Sequence, residues 1–339
     1  MLKVEIKMFT AITSRLSKGH ISKLGLCLIV VLFLAGCVSS PYVKDTQPID
    51  RAKLNASDVT VSIPNLSSCT DSLDKSIEID TTSPLTVLVH GCNGSAGRFR
   101  SLAQLYAFHG QQAFCFNYDD RDSLEDTAQK LAVAVEELAK VTKNQNITIA
   151  GHSMGGLVAR KAVEKDDHGS NILSDQNLEL ITISAPFSGI RAAKHCGIKP
   201  LHWLSLGVLP GLCWIITGDN WYEITSSSDF INDPKPLIPS VKSYLKIVTN
   251  EENTCRRFNK SGNCIESDFV FNVAEQNQPI FDDYANMTRV QVDAGHVEIV
   301  GYKDVEPRKL LSILQDQGMI SKTPPERKAE LERLFADLY

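Results

Sequence analysis

Residues 147 to 156 read Ile-Thr-Ile-Ala-Gly-His-Ser-Met-Gly-Gly, an apolar strand that runs without a linker into a glycine-flanked serine. A helical pattern begins at once on the far side and continues to Glu164. A chain that passes this abruptly from strand to helix holds Ser153 at a strained backbone turn, so the residues two away on either side, Gly151 and Gly155, have to be small. The helix N-terminus then favours negative charge developing beside the hydroxyl. Ser153 is therefore the candidate nucleophile, and its setting commits the surrounding chain to alternating strands and helices.

The rest of the sequence keeps that rhythm. Leu85 to Val89, Ala113 to Phe116, Ile147 to Ala150 and Leu178 to Ile183 are short continuous apolar runs, separated by helical patterns over Ala96 to His109, from Ser123 onward, and up to Glu164. Uninterrupted apolar strands between helices predict a mostly parallel sheet covered on both faces. The helix after Ser123 has the clearest period, with Leu124, Ala128, Leu131, Val135 and Leu138 at spacings of three and four. From about 187 to 240 the alternation breaks into a Gly- and Pro-punctuated apolar stretch that includes Trp203 and Trp214, which predicts an inserted cap. A satellite core is its bland reading, and an acyl-chain wall formed by Trp203 and Trp214 its functional one. Strands resume at Tyr244 to Val248 and Thr288 to Val292, and Pro325 to Tyr339 reads as a surface helix. The expected division is a signal over 1–36, a tether and N-terminal edge segment over 37–82 with a strand near Val59 to Ile63, a main domain over 83–318, and a terminal helix over 319–339.

The N-terminus is basic up to Lys23, then apolar from Leu24 to Leu34, then small at Ala35-Gly36 before Cys37. The apolar run is short for a membrane span and reads as a signal peptide. Leu34-Ala35-Gly36-Cys37 resembles the lipobox of bacterial lipoproteins, which implies cleavage before Cys37, a diacylglycerol on its sulfur, and attachment to a membrane. Ser39 and Ser40, where an Asp would retain such a protein at the inner membrane, imply by the same resemblance the outer membrane of a Gram-negative cell, on its periplasmic or surface face. Five basic residues against Glu5 in the leader leave the remainder more acidic than the formal charge of -5, a poor match to nucleic acid.

Export permits disulfides. Cys69, Cys92, Cys115, Cys196, Cys213, Cys255 and Cys264 remain after the leader and Cys37, an odd number that leaves at least one thiol without an intramolecular partner. Cys196 with Cys213 and Cys255 with Cys264 are the natural local pairs. No C-x-x-C or H-E-x-x-H spacing occurs, so no metal is expected and no cofactor is implied.

His90-Gly91-Cys92-Asn93-Gly94 follows the strand from Leu85. Acyl transfer needs two backbone N–H donors for the oxyanion, one after the nucleophile and one from the loop after an earlier strand, which selects Met154 and Cys92. His90 reads as structural.

With these parts in order, the segment from Leu85 to about Val300 resembles the bacterial lipase and esterase branch of the α/β-hydrolase family. The H-G-x-x-G loop, the turn at Ser153, Ser184-Ala-Pro-Phe-Ser-Gly189 where relatives often read T-P-H-x-G, and a late Gly-His carry the likeness. It departs at Phe187 and Ser188, which leaves substrate contacts at that loop open. The family order of Ser, acid and His implies His296 as base. Ser267-Asp268-Phe-Val-Phe-Asn-Val273 resembles the S-D-x-x-V element that carries the acid, which implies Asp268, with Asp282 and Asp283 as rivals and Glu251 and Glu252 earlier in the span. The reading is an ester hydrolase acting on acyl lipids. Acyl transfer or thioester cleavage by the same residues is the nearest alternative, and an anchored binding or folding-assistance protein without activity the second. The sequence sets no oligomeric state.

Overall fold

The chain, seen as a computed structural model, is described over residues 44–47, 50, 54, 56–143, 146–166, 168–169, 171–198, 204–205, 208–282 and 284–339. The leader, Cys37 and Trp203 lie outside these residues, and so does Asp283. In chain order the elements are β1 (Val59–Val61), β2 (Leu66–Ser67), β3 (Ile77–Ile79), β4 (Leu85–Val89), α1 (Arg100–Phe108), β5 (Gln112–Phe116), α2 (Leu124–Val141), β6 (Asn146–His152), α3 (Met154–Ala162) and β7 (Asn177–Ile183). There follow α4 (Val208–Thr217), α5 (Asp229–Asn232), β8 (Val241–Asn250), β9 (Cys255–Phe258), β10 (Cys264–Ser267), α6 (Pro279–Asp282), β11 (Met287–Asp293), α7 (Arg308–Asp316) and α8 (Lys328–Leu338).

Seven strands form one sheet in the order β11-β8-β7-β6-β4-β5-β2, parallel throughout except for β2, which pairs antiparallel at the β5 edge. Because strand side chains alternate, Leu85, Val87 and Val89 of β4 enter the core on one face and Leu88 the core on the other. The first face is covered by α2 and α3, the second by α1, α7 and α8. The sheet is thus the doubly covered parallel sheet of the α/β-hydrolase fold.

α2 starts where its sequence says it should. Ser123 Oγ accepts the Asp126 N–H at 3.3 Å, and Glu125 and Asp126 complement the dipole of the first turn. Glu223, from the connection between β7 and β8, reaches the same helix end: its carboxylate accepts the Ser123 hydroxyl at 2.9 Å and the Leu124 N–H at 2.5 Å. That connection carries α4, α5 and two 3-10 turns, and no strand among the described residues.

Among the described residues three disulfides close, Cys69–Cys115, Cys196–Cys213 and Cys255–Cys264. The last two are the local pairs expected from spacing. The first joins the segment after β2 to β5, distant in sequence but adjacent in the sheet. Cys92 stands outside these bonds. Two local features differ from the sequence reading. The tail is docked rather than bare, since Leu331 and Phe335 of α8 are buried and the Arg308 guanidinium lies 4.4 Å over the Phe335 ring. The Cys255–Cys264 loop is a true hairpin, β9 paired with β10.

The crossover helix after β4 lies on one face of the sheet and the helices after β5 and β6 on the other. The crevice outside the carboxyl ends of β4 and β6, where successive connections diverge, is where an open parallel sheet offers a ligand site. His90 to Gly94 and Ser153 stand at those two ends.

Candidate active site

Ser153 occupies the single position between β6 and α3, with φ 59° and ψ −129°, a left-handed conformation unfavourable for a residue with a side chain. The turn is that tight because backbones touch across it. A Cβ on Gly155 would lie 2.3 Å from the carbonyl oxygens of Val89 and His90, and one on Gly91 would lie 2.6 Å from Ser153 Cβ and 3.0 Å from its Oγ. Glycine at 91 is what lets the loop after β4 close over the serine. Ser153 N–H donates to Ile183 O at 2.8 Å, which fixes the turn to β7.

Met154 is the first residue of α3, and N–H groups in a helix's first turn have no intrahelical acceptor. Cys92 follows Gly91 on the loop that meets Ser153. Both residues assigned to the oxyanion from sequence thus stand beside the serine. His90 is buried, stacked on Tyr118 with centroids 4.2 Å apart, and its burial lowers its pKa. It supports the loop, as expected.

His296 follows β11 and is buried beside the serine turn. Its ring centroid is 4.7 Å from that of His152, and its carbonyl accepts from His152 Nε2 at 2.8 Å. A carbonyl only accepts, so His152 carries its proton on Nε2. Burial, and then the charge of His296, hold the His152 pKa well below the usual imidazole value, so it stays neutral.

The acid is the correction. The carboxylate on His296 Nδ1 is Glu251, with Oε1 at 2.9 Å. Glu251 is the first residue after β8 and is fully buried. Its Oε1 also accepts the hydroxyls of Ser184 at 2.7 Å and Thr249 at 2.9 Å, and its Oε2 the N–H groups of Val270 at 2.6 Å and Phe271 at 2.8 Å. Burial pushes the carboxyl's pKa up, but the hydrogen bond and charge of His296, with Ser184 and Phe271, outweigh it and hold the carboxyl below its ordinary value. Facing a carboxylate, Nδ1 is the protonated ring nitrogen and Nε2 is left as the base. Ser184 Oγ is also 2.9 Å from His296 Nδ1, so this hydroxyl bridges acid and base.

Asp268, the acid implied by resemblance, is buried too, but it faces Arg256 and the backbone after His296. Its rival Asp282 pairs with the buried Lys246 of β8. The carboxylate on the His296 ring is therefore not the one the S-D-x-x-V likeness implied, because a hairpin that the sequence reading treated as a loop separates Glu251 from Asp268. The signal that could have found Glu251 was its place one residue beyond the strand ending at Asn250.

Phe187 is fully buried and packs on Phe281 with centroids 4.8 Å apart, so it belongs to the core and not to a substrate surface. Trp214, on α4, is 52% exposed and donates from Nε1 to Asp219 at 2.7 Å. The 3-10 turn following α4 brings Asn220 Nδ2 to 3.9 Å from Met154 Sδ, so the connection reaches the residue next to Ser153. Trp203 lies outside the described residues.

The family profile of palmitoyl protein thioesterases matches residues 85–277, more than half of the chain. A GPI inositol-deacylase of Candida albicans is 32% identical over 124 residues, 36% of this chain and 26% of that protein, so the match spans about a quarter of the relative's length. Among solved structures, the mature Bacillus licheniformis lipase BlEst2 is 17% identical with a TM-score of 0.47, over 69% of this chain and 91% of that one. A Pyrococcus furiosus esterase, Pf2001, is 14% identical with a TM-score of 0.47, over 81% and 94% of the respective chains.

Proposed function

Since the chain belongs to the palmitoyl protein thioesterase family and is a serine hydrolase, we propose that it removes fatty acyl groups from ester or thioester substrates through Ser153, His296 and Glu251. The observation that carries this reading is the buried Glu251–His296 pair packed against the strained turn that presents Ser153.

Ser153 Oγ attacks the acyl carbonyl while His296 Nε2 takes its proton. Glu251 holds the imidazole in the tautomer this requires and stabilises the imidazolium that forms. The Met154 and Cys92 N–H groups take the oxyanion, each worth about 2.7 to 4 kcal/mol. His296 then protonates the departing alkoxide or thiolate, and water repeats the sequence on the acyl-enzyme. The family name supports a thioester, and the name of the Candida relative supports an acyl ester on a lipid head group. Either meets the same carbonyl chemistry. The lipobox-like Leu34 to Cys37 supports an exported enzyme tethered to a membrane, since one acyl chain holds only weakly but several hold firmly.

Fluorophosphonate labelling of cells followed by detergent partition tests both parts. The expected result is a labelled, detergent-phase protein. Ser153→Ala should abolish the label and lower kcat by at least about 10^4-fold. Cys37→Ser should keep the label but leave the detergent phase or remain an uncleaved precursor. Labelling that survives Ser153→Ala would overturn the nucleophile, and palmitate incorporation that survives Cys37→Ser would overturn the anchor.

A further inference from the structure

The carboxylate of Asp268 is 1% exposed and fully engaged, by partners other than the His296 ring. Its oxygens accept the Val297 N–H at 3.0 and 3.2 Å and the Glu298 N–H at 2.9 Å, the two amides directly after His296. Its own carbonyl accepts the His296 N–H at 2.9 Å. A Cβ on Gly295 would lie 2.1 Å from Asp268 Oδ2, so the turn bearing His296 is wrapped around this carboxylate.

The charge is balanced from the other side. Arg256 donates to Oδ1 from Nε at 2.9 Å and from Nη2 at 2.9 Å. Arg256 sits on β9, in the hairpin closed by Cys255–Cys264, and Asp268 N–H donates to Thr254 O at the hairpin's base. The hairpin inserted between Glu251 and Asp268 therefore supplies a fixed cation to the residue that grips the His296 turn.

We propose that Asp268, with Arg256 as its counter-ion, is a positioning residue that fixes the backbone of the His296 turn, while Glu251 orients the ring. This rests on the functional reading above. The clamp's contacts are with Arg256 and the backbone after His296, so its loss acts on the chemical step. A displacement of about 1 Å in a catalytic group costs on the order of 10²-fold.

The test uses the full chain with p-nitrophenyl butyrate, and the proton NMR signal of His296 Nδ1–H, identified by its disappearance in His296→Ala. Asp268→Asn should lower kcat about 10- to 100-fold with KM within about twofold, and broaden the Nδ1–H signal without removing it. Glu251→Gln should cost far more and remove the signal. Asp268→Asn with wild-type kcat and a sharp signal would overturn the inference, even if its Tm falls, because the residue would then be merely structural. A greater loss in Asp268→Asn than in Glu251→Gln would also overturn it. Should Asp268→Asn fail to fold, Arg256→Gln keeps the question open to measurement: about 3- to 10-fold lower kcat at unchanged KM is expected, and wild-type kcat would count against the clamp. If the wild-type chain shows no esterase activity, the functional reading falls, whereas the NMR comparison of wild type with Asp268→Asn still decides the clamp.

Discussion

Glu251 accepts five hydrogen bonds on one buried carboxylate, and only one of them comes from His296. The other four hold it in place and ionised, which is what an orienting acid needs. Replacing it with Gln keeps the shape but offers a neutral group to Nδ1, so the imidazolium formed on attack loses its partner. We expect kcat of Glu251→Gln to fall about 10^3- to 10^4-fold, with Ser153 still slowly labelled. A fall of less than about tenfold, with Asp268→Ala as deficient as Ser153→Ala, would return the acid to Asp268. At this scale Ser153 and His296 were legible, because each follows a strand in a local motif. Glu251 was not, because an acidic residue after a strand looks like any solvated loop carboxylate until the sheet places it against His296. Ser184 was legible only as part of a loop, since its link to both acid and base is a contact between three strand ends.

The inner parallel strands could be read as apolar runs because they are buried on two faces, whereas the edge strand β11 is half exposed and alternates. α2 could be read by its period and its Ser123 cap. The β9–β10 hairpin could not, because its strands are exposed and it carries no alternating apolar face; α7 was missed between the His296 loop and the tail. The β7–β8 connection was legible as an insertion, but its attachment was not: Glu223 on the α2 end and Asn220 against Met154 are contacts across long sequence separations. That attachment sharpens the expectation for α4. Trp214 is half exposed on an element whose next turn touches Met154, so on the proposal that α4 walls the acyl path, trimming it removes apolar surface there. Each added methylene buried there contributes about 0.8 kcal/mol. Trp214→Ala should therefore lower kcat/KM more for decanoyl than for acetyl esters. Equal losses for both chain lengths, with a lower Tm, would mean that α4 only packs.

Across the whole molecule, acidity should weaken the fold in a window set by buried imidazoles. His90, His109 and His152 are buried, and in all three burial lowers the pKa from the ordinary 6.5. The unfolded chain then binds protons near pH 6.5 that the folded chain refuses, so the unfolded state holds more protons as pH falls. The sign follows: stability is complete above about 6.5 and is lost between 6.5 and the lower folded values. Each group contributes up to about 1.4 kcal/mol per pH unit while it differs between the two states. Glu251, held below its ordinary value, has the same sign but acts only in the carboxylate range, and Glu223, raised chiefly by burial, opposes it there. The loss also reaches the site, because His152 donates to the His296 carbonyl from its protonated Nε2 and neighbours Ser153. Urea unfolding of the disulfide-intact protein at pH 7.5, 6.5 and 5.5 measures the slope. We expect the unfolding free energy to fall between pH 6.5 and 5.5 by an amount approaching three protons, and His90→Phe, which keeps a ring against Tyr118, to remove about one of them. A stability that stays flat from pH 7.5 to 5.5 would show that all three imidazoles take up protons in the folded protein, and that the neutral His152 beside His296 is not a feature of the working site.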